Sequence, residues 1–233
     1  MRLLALVAVA GAAALALLAG PAGATNECRG FQVCVHVPGP WVVVPTSTAV
    51  PRPSVQYQLT CPKGFVVGGL DAELTDRNID VTFEALLGSP VNPGISTRQA
   101  ALFTGRAVAG PVRAASFRPH IGCIPAAGGG GRIPTVAHVV PPGSPSARHV
   151  WNVRVRPGSA TVSKSCPGGA TLVGASHAVG FYGAKPPSAA LIGSVHATHV
   201  VRNGHVKVTI RGGHAVDSVR AVVQILLTCA GGT

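Results

Sequence analysis

The sequence predicts an all-β protein built from two pseudo-symmetric, disulfide-closed repeats in a sandwich-like arrangement. Three observations carry that expectation. Short Val-rich runs alternate apolar and polar residues, and 30 glycines and 20 prolines punctuate them. Period-two patterning between turn residues is the signature of half-buried strands. No stretch of ten or more residues keeps a helical period. A Cys-Pro-x-Gly segment occurs twice, each time followed by a second cysteine at nearly the same distance, which marks an internal repeat.

The elements follow in chain order. Met1-Arg2 is a positive start, residues 3–20 are an uncharged run rich in Leu and Ala, and Pro21 ends it. Ala22-Gly23-Ala24 then offers small residues at the positions a signal peptidase reads. Residues 1–24 are therefore expected to be a secretory signal peptide, giving a secreted protein with no transmembrane segment after cleavage. Residues 25–39 form an N-terminal extension in which Cys28 and Cys34 can close a small loop. The first β repeat spans 40–125, opens at Trp41 and carries the motif Cys61-Pro62-Lys63-Gly64. The second spans 150–233, opens at Trp151 and carries Cys166-Pro167-Gly168-Gly169. Strand-like runs at 116–122 and 222–228 lead into Cys123 and Cys229. Between the repeats, 126–149 reads as a Gly/Pro-rich linker around a short apolar run at 135–140.

Six cysteines allow fifteen pairings, and their number alone does not choose among them. The repeat favours Cys61–Cys123 and Cys166–Cys229, leaving Cys28–Cys34, with cross-repeat pairing as the rival. A bridge closing some sixty residues contributes about 4 kcal/mol through the unfolded state. An even cysteine count also fits an oxidising compartment. With its distant partner cysteine, the motif resembles C-P-x-G-x-x-V-x-G-G segments of uncharacterised exported proteins from actinobacterium-like, GC-rich genomes, though Leu70 and Ala175 stand where the last glycine of that pattern would be. That resemblance implies a β-rich exported protein and brings no activity, cofactor or site residue with it.

Two turns are legible. Asn203-Gly204 is the preferred pair of a two-residue type I′ hairpin. Counting outward sets Arg202 opposite His205, Val201 opposite Val206 and Thr198 opposite Thr209. One face then carries Val195, Ala197, His199, Val201, Val206, Val208 and Ile210, and the other is polar and cationic. The segment 75–78 reads as a second hairpin turn, between strands at 66–74 and 79–87.

The formal net charge is +12, and it is uneven. Six of the seven acids lie between Glu27 and Glu84, and from Ala85 onward Asp217 is the single acid. The candidate ligand-binding residues are Arg154 and Arg156, beside Trp151, with His196, Arg202, His205, Lys207 and Arg211 of the hairpin. Were these strands to share a sheet, one solvent face would attract anionic envelope or extracellular polymers. Aromatic stacking residues are missing from it, which argues against nucleic acid. Exposed histidines there would add charge in a mildly acidic medium.

No catalytic residue, metal site or cofactor is expected. In a strand, His196 and His199 point to opposite faces, and His199 falls on the apolar side as a hydrogen-bonded core residue. The acids Asp71, Glu73, Asp76, Asp80 and Glu84 lack the spacing of an EF-hand loop. Ser176 sits in a segment that only brushes the nucleophile-elbow pattern, with no helix to follow. The expectation is a non-enzymatic binding or envelope-associated protein. A secreted hydrolase with a site between the repeats and a purely structural surface protein are the alternatives.

Overall fold

Alternating sequence bounded by Gly, Pro and Asn folds into thirteen strands among the described residues of a computed structural model, which cover 25–47, 50–84, 99–108, 114–126 and 147–231. The expected signal segment, the run 135–140 and most of the expected linker lie outside them. The strands are β1 (Val35–Pro38), β2 (Trp41–Val43), β3 (Ser54–Thr60), β4 (Phe65–Leu74), β5 (Ile79–Glu84), β6 (Ala100–Ala107) and β7 (Ser116–Pro125). They continue as β8 (Ala147–Arg154), β9 (Gly158–Ser165), β10 (Thr171–Tyr182), β11 (Val195–Arg202), β12 (His205–Gly212) and β13 (Arg220–Ala230). One short helix, α1 (Ala189–Gly193), and a 3-10 turn at His214–Asp217 interrupt them. The first repeat was expected to begin at residue 40 and the second at 150. Here β8 begins at Ala147, inside the expected linker.

All the strand pairs are antiparallel. A seven-stranded sheet runs β1-β7-β2-β10-β13-β8, with β4 on the other edge of β7. Two three-stranded sheets, β3-β6-β5 and β11-β12-β9, complete the fold. Each small sheet covers one part of the large one, because the alternation leaves each strand one apolar face to bury. Val55, Tyr57 and Leu59 of β3 meet Val67, Phe117 and Ile121 in a first core. Val206, Val208 and Ile210 of β12 meet Val223, Ile225 and Leu227 of β13 in a second.

The two cores lie under one continuous sheet. Its seam is β2 against β10, with Val42 opposite Gly180 and Trp41 opposite Phe181. Gln224 of β13 is buried there and treats β3 as a neighbouring strand would. Its Oε1 accepts from Gln58 N at 2.6 Å, and its Nε2 donates to Gln58 O and to Asn152 Oδ1, each at 3.0 Å. Burial above all holds the Tyr57 hydroxyl protonated far above its ordinary range, reinforced by the Tyr182 hydroxyl beside it from β10.

The bridges are Cys28–Cys34, Cys61–Cys123 and Cys166–Cys229. The motif cysteines therefore pair within each half rather than across. The hairpin β11–β12 has the register counted from its turn, with Arg202 opposite His205 and Thr198 opposite Thr209. Asn203 and Gly204 hold φ of 51° and 72°, the left-handed pair that a type I′ turn requires. Val201 departs from its expected burial and is exposed, whereas its cross-strand partner Val206 is fully buried, because β11 is the edge strand of its sheet and β12 the central one.

The second expected hairpin is not one. Residues 75–78 do turn, with Asn78 N donating to Asp76 Oδ1 at 2.7 Å. Yet β4 pairs with β7 and β5 with β6, so the turn carries the chain from one sheet to another. Each flanking strand finds its ladder partner in a strand later in the chain.

Candidate functional site

The candidate face is built by β9, β12 and β11. On β12 the apolar side chains of Val206, Val208 and Ile210 are buried, so His205, Lys207, Thr209 and Arg211 face solvent. The ladder then fixes their neighbours. Lys207 stands between Val200 and Ser163, Thr209 between Thr198 and Thr161, and Arg211 between His196 and Ser159. His205 stands between Arg202 and Ser165. A groove of about 470 Å3 lies over this face, lined by Ser163, Thr198, Val200, Arg202, His205, Lys207 and Thr209. Among the described residues no carboxylate lies within 4.0 Å of Arg202, Lys207 or Arg211.

Five of the seven candidate residues therefore share one surface. Arg154 does not, because β8 pairs with β13 in the large sheet while β9 pairs with β12 in the small one. The chain crosses between layers at 155–157, where Val155 is buried in the second core. Arg156 lies at the crossing, its carbonyl packed against Gly212 at the Arg211 end of the face. The hydroxyls of β9 went unremarked in the sequence. Their signal was there: in Gly158–Ser165, Ser and Thr alternate with Ala, Val and Lys. That β9 would lie beside β12 was not written in it. Lys164, on the inner side, covers Trp151 with Nζ 5.1 Å from the ring centre.

The other motifs are drawn apart. Asp71 accepts from Asn26 N at 2.7 Å, Asp80 pairs with Arg106 at 2.9 Å, and Glu84 pairs with Arg148. The acids thus have separate partners on two different sheets. Ser176 Oγ donates to Gln56 Oε1 at 3.4 Å, and β10 continues as a strand beyond it. His214 and Asp217 face each other at 3.7 Å on an exposed turn. His199 is hydrogen-bonded but only half-buried rather than in the core, with its Nδ1 2.8 Å from Nδ1 of His177.

The fold also assembles a second cluster. Glu27, His36 and His120 bring one ligand-type atom each within 4.8 Å of one another. Glu27 precedes the Cys28–Cys34 loop and His36 follows it, on β1. β1 pairs with β7 so that Pro38 stands opposite His120. The Glu27 and His120 side chains are 1% and 2% exposed, and His36 is 43% exposed. Glu27 Oε1 accepts from Thr25 Oγ1 at 3.0 Å and meets His36 Nδ1. Its Oε2 is buried with no partner, as are both ring nitrogens of His120. Glu73 Oε1 stands 2.8 Å from His120 Nε2 without hydrogen-bond alignment. Burial pushes the His120 pKa down, against the pull of Glu73 and Glu27. No sequence signal points to this set, because its members come from a loop, an edge strand and a central strand.

Comparison with family models, with curated proteins and with solved structures finds no match for this chain.

Proposed function

We propose that the protein is an exported, non-enzymatic binding or envelope-associated protein that holds anionic polymers on its β9–β12–β11 face. One observation carries this reading: five cationic or histidine side chains and a set of Ser and Thr hydroxyls share a grooved surface on which, among the described residues, no carboxylate pairs with the Arg and Lys. Lys207 and Arg211, four residues apart on one strand, are spaced about 13 Å. Such a row suits a chain of repeated charges better than a single small anion. Hydroxyls between the cations offer hydrogen bonds to phosphate or carboxylate oxygens. Three disulfides with no free cysteine support export into an oxidising compartment. Among the described residues no helix is long and apolar enough to cross a membrane.

The two halves are read as structural repeats. β2 and β4 pair with β7, as β8 and β10 pair with β13, and β3 and β5 pair with β6, as β9 and β11 pair with β12. Register shifts fall between Val67 and Gly69, and between Leu172 and Gly174. Phe65 N donates to Pro62 O, and Ala170 N to Pro167 O, both at 3.1 Å. In this reading only the second copy carries the cationic face.

The test is retention on an immobilised polyglycerol phosphate and on a carboxylated polysaccharide across a salt gradient. Retention should fall steeply with salt, losing about one unit of logarithmic slope per cation removed. It should vanish in the combined Arg202→Glu, Lys207→Glu and Arg211→Glu variant. Arg154→Glu, on the other layer, should leave it unchanged. Retention that survives the triple change, or is equally sensitive to Arg154, sinks the proposal.

A further inference from the structure

We propose that Glu27, His36 and His120 form a binding site for one divalent transition cation of the zinc type, separate from the cationic face. Two imidazoles and a carboxylate are the donor set that such borderline cations take, whereas calcium and magnesium prefer oxygen alone. The cluster has the features of a built site. A buried carboxylate with an orphaned oxygen is costly unless something pairs with it, and Glu27 Oε2 is such an atom. His120, equally buried, holds ring nitrogens without a hydrogen bond. One carboxylate oxygen of Glu27 and one ring nitrogen each of His36 and His120 lie within 4.8 Å of one another.

The backbone is shaped for the same purpose. Gly69 and Gly122 are cross-strand partners, and a side-chain carbon on either would collide with the Glu27 carbonyl. Their lack of a side chain lets the N-terminal segment lie directly on the sheet. The corresponding pair in the second half is Gly174 and Thr228, where the threonine side chain comes no closer than 3.6 Å to such a carbon. The Cys28–Cys34 bridge, with Cα atoms 5.6 Å apart, holds the loop between Glu27 and His36 closed. Glu73 Oε1, 2.8 Å from His120 Nε2, is close enough that a small rotation of the ring would make it the outer carboxylate that orients a ligating imidazole. Three protein donors leave a fourth position for water, and the half-exposed His36 places it toward solvent. The cation pins residues 25–36 onto β7.

The experiment uses the oxidised mature protein, stripped with a chelator and titrated with Zn2+ by calorimetry and by competition with a chromophoric chelator. One equivalent should bind and raise the melting temperature. His36→Ala removes a half-exposed side chain and should keep the far-ultraviolet circular dichroism. It should weaken binding at least tenfold and abolish the thermal shift. Glu27→Gln, which keeps the side-chain shape, should do the same. In nitrogen-15 NMR the imidazoles of His36 and His120 should shift on adding zinc. A His196→Ala, His205→Ala double variant should bind as the parent does. Absence of saturable binding overturns the proposal. So does undiminished binding in His36→Ala or Glu27→Gln, or loss confined to the double variant.

Discussion

His177 leaves the middle of β10 toward β11, with Nε2 2.8 Å from the Ala197 carbonyl and Nδ1 2.8 Å from His199 Nδ1. The carbonyl can only accept, so Nε2 carries a proton, and a neutral His177 then presents a lone pair at Nδ1 to the N–H of His199. Burial pushes the His177 pKa below its ordinary value. The Ala197 carbonyl pulls the other way, and His199 lowers it further. The unfolded chain therefore takes up this proton at higher pH than the folded one does. Stability from this group is complete above the unfolded value of about 6.5 and is lost as pH falls below it. His120 acts in the same direction. Melting temperatures measured from about pH 7.5 down to about pH 5 should fall. In His177→Gln that fall should be shallower, while stability at the upper pH drops by about 0.5–1.5 kcal/mol for the lost hydrogen bond. An unchanged slope in the variant would show that His177 is not the titrating group. Of these details, the sequence placed His199 on the apolar face. Its partner was not legible, because His177 lies on a different sheet.

At the scale of elements, the bridges differ in how much chain they restrain. Cys166 lies between β9 and β10 and is tied to Cys229 on β13 across 63 residues, whereas Cys28–Cys34 spans 6. A longer loop loses more unfolded-state entropy when it is closed. Replacing Cys166 and Cys229 together by Ala should cost about 2–5 kcal/mol, and more than the same change at Cys28 and Cys34. Denaturant midpoints of the two double variants, compared at equal slope, check the order. A reversed order would mean that native contacts at the N-terminal loop, not loop entropy, dominate. The β11–β12 hairpin was readable because a two-residue turn dictates register directly. The turn at 75–78 was misread for the converse reason. Its chemistry says that the chain bends, and nothing local says which strand is met after the bend.

For the whole molecule the question is whether two cores under one sheet melt as one. Trp41 is buried at the β2–β10 seam and Trp151 borders the second core, so each reports a different region. The seam ladder and the Gln224–Gln58 hydrogen bonds tie the regions together. Single-tryptophan variants, Trp41→Phe and Trp151→Phe, should therefore show fluorescence transitions with matching midpoints. Gln224→Leu leaves the Gln58 amide and carbonyl without that partner. It should cost about 1–3 kcal/mol and begin to separate the two midpoints. Separate transitions in the unaltered core would mean that the halves are independent modules. What the sequence by itself determined is local or periodic: the all-β class, the faces of the strands and the register of one hairpin; the repeated motif favoured the cysteine pairing that the fold then settled. Only the tertiary structure decided which strands became neighbours. It put Arg154 on a different layer from Lys207, laid the hydroxyls of β9 beside the cations, and gathered Glu27, His36 and His120. The physical reason is that alternation assigns a side chain to a face. The partner across a ladder is chosen by the packing of the whole chain.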